Sequence, residues 1–145
     1  MPSRISLELQ QYYGHPRNTF WKILFSIFSR TFSSNYCDRK LLAIENNIAI
    51  WDVCYSAVRI GSLDSAIKDE KPNKIDELVS ENPSISTIVF NGKKAAKLYK
   101  KYFPKFDYIN YTTLLSTSPA NAKYSFEEKL KYWSQIRQII DTKNP

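Results

Sequence analysis

A three-layer α/β/α protein, with a small parallel sheet flanked by helices, is the fold class this sequence predicts. Two observations carry that prediction. Short runs of β-branched and aromatic residues alternate with helical apolar patterns, the order expected of parallel strands joined by crossover helices. The chain is 145 residues long, which is the size of one domain with a substantial core. Hydrophobic residues make up 43% and charged residues 24%, a balance that can supply that core.

The elements follow in order. Phe20, Ile23, Leu24, Ile27 and Phe28 recur at helical spacing, so a helix is expected over 19–29. Asp38 is expected to cap a second helix through RKLLAIENN. NIAIWDVC reads as a buried strand ending near Asp52 to Cys54, and GSLDSAIKDEKP as a polar loop. PNKIDELVS is expected to be a short helix opened by Pro72. ISTIVFNG reads as a second buried strand ended by Gly92. KKAAKLYKKYF follows as a helix with Ala95, Leu98 and Tyr102 on one face. FDYINYTTLL is a third strand and STSPANAK a loop. Ser125 and Glu128 form a capping-box pattern ahead of a helix whose stripe is Phe126, Leu130, Trp133, Ile136 and Ile140. In a parallel sheet, ligands sit beyond the carboxyl ends of the strands. Here those ends are Asp52, Asn91 and the Ser116 loop.

Composition excludes several function classes. Three glycines cannot build a Rossmann or P-loop phosphate cradle. Two cysteines, Cys37 and Cys54, and one histidine cannot form a zinc site without carboxylates, so no metal is expected, and the thiols read as reduced. The single histidine leaves Ser-His or Cys-His catalysis only if His15 is the base. The longest apolar stretch, FWKILFSIF, is too short to span a bilayer and is interrupted by Lys22 and Ser26. With no signal peptide in MPSRISLELQ, the expected setting is intracellular and cytoplasmic, away from membranes. A net charge of +7 suits a polyanionic partner, although a merely basic protein has the same charge.

Four groups stand out chemically. QYYGHPRNTFW, Gln11 to Trp21, crowds Tyr13, His15 and Asn18 ahead of the first apolar helix. Asn18 is either the cap of that helix or an amide that holds a water or polar ligand. Tyr13 is either packing or a stacking platform, and His15 beside Pro16 is either a turn residue or a ligand contact. STSPAN, comprising Ser116, Thr117, Ser118, Pro119, Ala120 and Asn121, is either an ordinary loop or a presenter of hydroxyls and backbone N–H groups to phosphates. Lys93, Lys94, Lys97, Lys100, Lys101 and Lys105 occur with no acid between them, and Lys93, Lys97, Lys100 and Lys101 share a helical face. That face is either solvated or phosphate-facing. Asp52 is either paired structurally or faces a site.

Taken together, YYGHPRNTFWKIL, IAIWDVC, GSLDSAI, IVFNGKKAAKL and STSPANA resemble, in this order, the motifs of the uracil-DNA glycosylase superfamily, and most closely its hypoxanthine-DNA (DNA-deoxyinosine) glycosylase branch. HPRNTFW is also similar to the matching stretch of mismatch-specific uracil- and thymine-DNA glycosylases. The resemblance runs from Met1 to about Ile140 as one glycosylase-like domain. It implies a monofunctional enzyme of base excision repair that removes hypoxanthine, and by extension uracil, from DNA without a cofactor. The partner is then DNA carrying a deaminated base, and the protein is expected to act as a monomer. A flipped base needs an aromatic platform, polar edge readers and a wedge. The resemblance assigns Tyr13 and His15 to the base, Asn18 to catalysis, Asp52 to the base edge, and Ser116 to Asn121 to the DNA minor groove. Asp52 stands where asparagine is usual and Ser116 where uracil-specific enzymes have histidine, which points away from uracil. Relatives also begin with a strand ahead of the stretch matching MPS, so the chain is expected to be N-terminally truncated relative to the family. A truncated relative that only binds DNA, and an α/β protein in which Asn18 is merely a cap, are the competing expectations.

Overall fold

The computed structural model describes residues 2–59 and 67–142. The GSLDSAI motif lies almost entirely outside them. The chain divides into two compact units, Asp52–Ser116 and Pro2–Trp51 together with Thr117 onward.

The Asp52–Ser116 unit carries the strands. Thr87–Asn91 (β3) and Asn110–Leu114 (β4) pair in parallel, with Thr87 opposite Asn110 and Asn91 opposite Leu114. The helix between them, Lys93–Tyr102 (α5), supplies the crossover, and Ile75–Glu81 (α4) precedes β3. Ile75, Val79, Phe90, Tyr99 and Ile109 form the buried cluster of this unit. The predicted α/β class stands on this strand–helix–strand core.

Two expectations here need correction. NIAIWDVC is not a buried strand ending near Asp52 to Cys54. Residues 48–52 join no ladder, Trp51 is 53% exposed, and the strand starts only at Cys54 (Cys54–Arg59, β1). The polar stretch IKDEKP is not loop but strand β2 (Ile67–Pro72), antiparallel to β1 with irregular register. The physical reason is that an antiparallel pair with a wet face accepts polar residues, whereas apolar alternation alone does not create a ladder partner. Pro72 therefore ends a strand, and α4 begins after Lys74.

The second unit is helical: Arg4–Glu8 (α1), Phe20–Ile27 (α2), Tyr36–Glu45 (α3), Phe126–Trp133 (α6) and Gln135–Asp141 (α7). The cap of α3 is Asn35, whose Oδ1 accepts from Cys37 N at 2.8 Å. Asp38 sits inside the first turn and accepts from the Ser33 hydroxyl at 2.6 Å. The capping box is present: Ser125 Oγ accepts from Glu128 N at 3.1 Å, and Glu128 accepts from Ser125 N at 2.8 Å. The helix behind it is broken at Ser134, whose hydroxyl donates back to the Leu130 carbonyl at 2.8 Å and bends the chain. Phe20, Trp21, Ile23, Leu24 and Phe25 of α2 are buried, as are Trp133 and Ile136.

Lys129, rather than Leu130, shares the buried face of α6, with 4% exposure. Burial lowers its pKa, so the folded chain disfavours the charged form that the unfolded chain carries. That penalty is absent above the unfolded lysine pKa, grows as pH falls from there towards the depressed folded one, and is fully present below it. Lys129→Met should therefore stabilise the protein at neutral pH, by on the order of 1 kcal/mol or a few degrees of melting temperature. The gain should shrink when melting is repeated at strongly alkaline pH.

Candidate active site

In the helical unit, the QYYGHPRNTFW segment is held from several sides. The buried Ser6 Oγ accepts from Gly14 N at 3.0 Å and lies 3.0 Å from Ser3 Oγ. Tyr36 Oη accepts from Tyr12 N at 3.1 Å, and Trp21 Nε1 donates to the Tyr12 carbonyl at 2.8 Å. Fixed on both sides, Tyr13 adopts a left-handed backbone, φ 53°, uncommon for a bulky residue. Its ring stacks on Phe20 with centroids 3.9 Å apart and an interplanar angle of 25°. Phe20 is braced edge-on by Trp21 at 5.0 Å and by Trp133 at 5.5 Å. Tyr13 is thus part of a preformed aromatic stack rather than a lone ring.

His15 and Asn18 lie in the turn that follows. His15 Nδ1 accepts from Arg17 N at 3.1 Å, and the His15 carbonyl accepts from Asn18 N at 2.8 Å. An accepting Nδ1 places the proton of the neutral ring on Nε2, which becomes a donor. Asn18 Oδ1 accepts from Phe20 N at 3.0 Å. This cap-like bond fixes the amide orientation and leaves the Nδ2 hydrogens without a partner among the described residues. The formal cap, Thr19, uses its hydroxyl elsewhere: its N and Oγ1 donate to the Thr117 carbonyl at 3.2 and 3.3 Å. The side-chain acceptor at the start of α2 is therefore Asn18, not Thr19.

That Thr19–Thr117 link brings the start of the STSPAN turn to the mouth of α2. Thr117 is fully buried, so it anchors the turn rather than facing a ligand. Ser118 Oγ accepts from Ala120 N at 3.2 Å and its carbonyl from Asn121 N at 3.0 Å. The result is a tight turn around Pro119. Ala120 is its exposed tip.

Within the strand unit, the carboxyl ends of β3 and β4 converge. Gly92 N donates to the Leu114 carbonyl at 3.1 Å. Gly92 has φ 97° and ψ 159°, a conformation nearly restricted to glycine. A Cβ built on it would lie 2.9 Å from Ser116 Cβ. Gly92→Ala should therefore cost about 1–3 kcal/mol from backbone strain alone and displace Ser116. A melting temperature within a degree of the parent would show that this approach is not tight. Asp52, before β1, is partly buried, and burial pushes its carboxyl pKa above the ordinary value. Its carbonyl accepts from Asn73 Nδ2 at 3.3 Å. The expected placement of Asp52 at a strand's carboxyl end is corrected to the entry of β1.

Sequence reasoning missed the supports. Ser6 and Tyr36 reach the segment from outside it and Trp21 closes back on Tyr12 within it, through hydrogen bonds that no local spacing announces. Phe20 was legible only as a core residue. Among the described residues, no group of three His, Cys, Asp or Glu side chains could hold a metal ion, and no helix is long and apolar enough to cross a membrane.

The family model of the uracil DNA glycosylase superfamily matches residues 1–137. A hypoxanthine DNA glycosylase of Methanosarcina barkeri is 36% identical over 138 residues, covering 93% of this chain and 84% of that protein. One from Methanosarcina acetivorans is 36% identical over 140 residues, covering 94% and 86%. The solution NMR structure of a candidate uracil DNA glycosylase from Methanosarcina acetivorans superposes with a TM-score of 0.73 at 30% identity, covering 94% of this chain and 86% of that one. The match of nearly the whole chain, in sequence and in fold, shows that this protein belongs to the uracil DNA glycosylase superfamily.

Proposed function

We propose that this protein is a monofunctional DNA glycosylase that hydrolyses the N-glycosidic bond of a deaminated base, with hypoxanthine as the preferred substrate. The similarity to two hypoxanthine DNA glycosylases supports the substrate class. The observation that carries the chemistry is Asn18, an amide locked by the Phe20 N–H, with no partner for its Nδ2 donors among the described residues.

Hydrolysis forms a bond from water oxygen to C1′ and breaks the bond from C1′ to the base. A proton passes from water to the base or to solvent, and the products are an abasic site and the free base. Positive charge builds on the sugar and negative charge on the base as the bond stretches. Asn18 Nδ2 can orient the incoming water and donate toward the departing base, and an amide fixed in advance loses nothing to reorganisation. No strong base is needed, because the cationic sugar is a powerful electrophile. Tyr13, stacked on Phe20, is assigned to the flat face of the base. His15 offers Nε2–H to an oxygen of the base or backbone. Asp52 is assigned to the base edge: a carboxylate accepts from the N1–H of hypoxanthine, and its raised pKa makes the neutral acid, a donor to O6, easier to reach. The Ser116 to Asn121 turn is assigned to the DNA backbone and minor groove, with Thr117 as its anchor.

The direct test uses duplexes carrying one hypoxanthine or one uracil, treated with alkali after a single turnover. The reading predicts strand cleavage at hypoxanthine, with uracil cleaved more slowly. Equal inertness toward both by the folded chain would sink it.

A further inference from the structure

We propose that the lysine face of α5 is a second DNA contact, a track for the phosphate backbone that adds sequence-independent affinity apart from the base-handling residues. The inference rests on the DNA glycosylase reading and extends it to the strand unit. Lys93 and Lys94 open α5, and Lys97, Lys100 and Lys101 follow one or two turns on. Lys94, Lys97, Lys100 and Lys101 line a shallow groove of about 500 Å³ together with Leu98 and Glu70. Among the described residues that line it, Glu70 is the one acid. It pairs with Lys101 at 3.3 Å, and the Tyr102 hydroxyl donates to its carbonyl at 3.2 Å, so strand β2 forms a fixed wall of the groove. Lys94, Lys97 and Lys100 have no ion-pair partner among the described residues.

An ordinary solvated helix face does not look like this. Lysines on such faces are usually interleaved with acids three or four residues away, and α5 contains none. Lys93 and Lys94 also sit at the positive end of the helix dipole, where cations are disfavoured. Lys100 and Lys101 in the last turn suit the dipole, but Lys93, Lys97 and Lys101 stand four residues apart and repel, and a polyanion in the groove would relieve that repulsion. From Lys94 to Lys101 the helix advances roughly 10 Å, comparable to the axial rise across about three phosphates of one DNA strand. Charge complementarity thus selects a nucleic-acid backbone as the occupant. The described lining is lysines, one glutamate and a leucine, which suit phosphates rather than a base edge, so the contact should not depend on sequence.

The test is the salt dependence of binding to an undamaged duplex, read by fluorescence anisotropy. The parent chain is compared with the triple variant Lys94→Gln, Lys97→Gln, Lys100→Gln. A control of equal charge change carries Lys22→Gln, Lys40→Gln and Lys131→Gln. Three lost phosphate contacts should lower the magnitude of the log–log slope by about 2.7 and weaken low-salt binding by tenfold or more. The control should move the slope by less than one contact's worth. The excision rate from a hypoxanthine duplex at saturating protein should stay within about twofold of the parent. An unchanged slope in the folded triple variant would overturn the proposal while leaving the glycosylase reading intact. An equal loss in the control would also overturn it, by showing that net charge rather than α5 is responsible. A parent chain that neither binds nor excises would bring down both readings.

Discussion

Asn18→Ala is expected to slow single-turnover excision by about 10²–10³-fold, the range seen when one preorganised donor is removed from an active site. The same change removes the hydrogen bond to Phe20 N, so it should also cost about 0.5–2 kcal/mol of stability. Those two effects must be separated, and Asn18→Asp separates them. A carboxylate keeps the acceptor for Phe20 N and places negative charge at the start of α2, which helix electrostatics favour. Its melting temperature should match or exceed the parent's. It lacks the Nδ2 donors, so its excision rate should fall with that of the alanine variant. If Asn18→Ala keeps its rate while its melting temperature drops, Asn18 is only a cap. If Asn18→Asp keeps the rate, the oxygen rather than the nitrogen does the chemistry.

Trp133→Ala should be among the most damaging single changes to the helical unit. Trp133 is 2% exposed and its ring meets Phe20 edge-on at 5.5 Å. Truncating a buried tryptophan removes its transfer energy and leaves a cavity, together about 3–5 kcal/mol. For a domain with ordinary marginal stability that is a large fraction of the whole. The consequence reaches the candidate site, because Phe20 is the ring on which Tyr13 stacks. Trp133→Phe keeps an aromatic edge near Phe20 and should lose less. Chemical denaturation checks both, and a loss below 1 kcal/mol for Trp133→Ala would show that the brace is not stabilising.

Much of this was legible in the sequence for identifiable reasons. Helix α2, helix α5 and strand β3 carry strong periodic or β-branched signals, and Gly92 marks the end of β3. The Ser125–Glu128 capping box is a local pattern with a local cause. What escaped depended on partners distant in sequence. Residues 48–52 have strand-like composition but join no ladder, whereas polar IKDEKP pairs with β1. Lys129 took a buried place on α6 that Leu130 was expected to fill, since a long aliphatic stem can line a core. At the candidate site, the crowding of Tyr13, His15 and Asn18 ahead of α2 is visible in the sequence itself. Their supports are not, because Ser6 and Tyr36 reach the motif only once the chain has folded back on itself.

The most direct test of the account is single-turnover excision by the natural chain on a duplex containing one hypoxanthine, with the undamaged duplex alongside. The account predicts alkali-sensitive cleavage at the hypoxanthine position alone, with free hypoxanthine released in equal amount. A folded chain that binds the duplex and releases no base would contradict it.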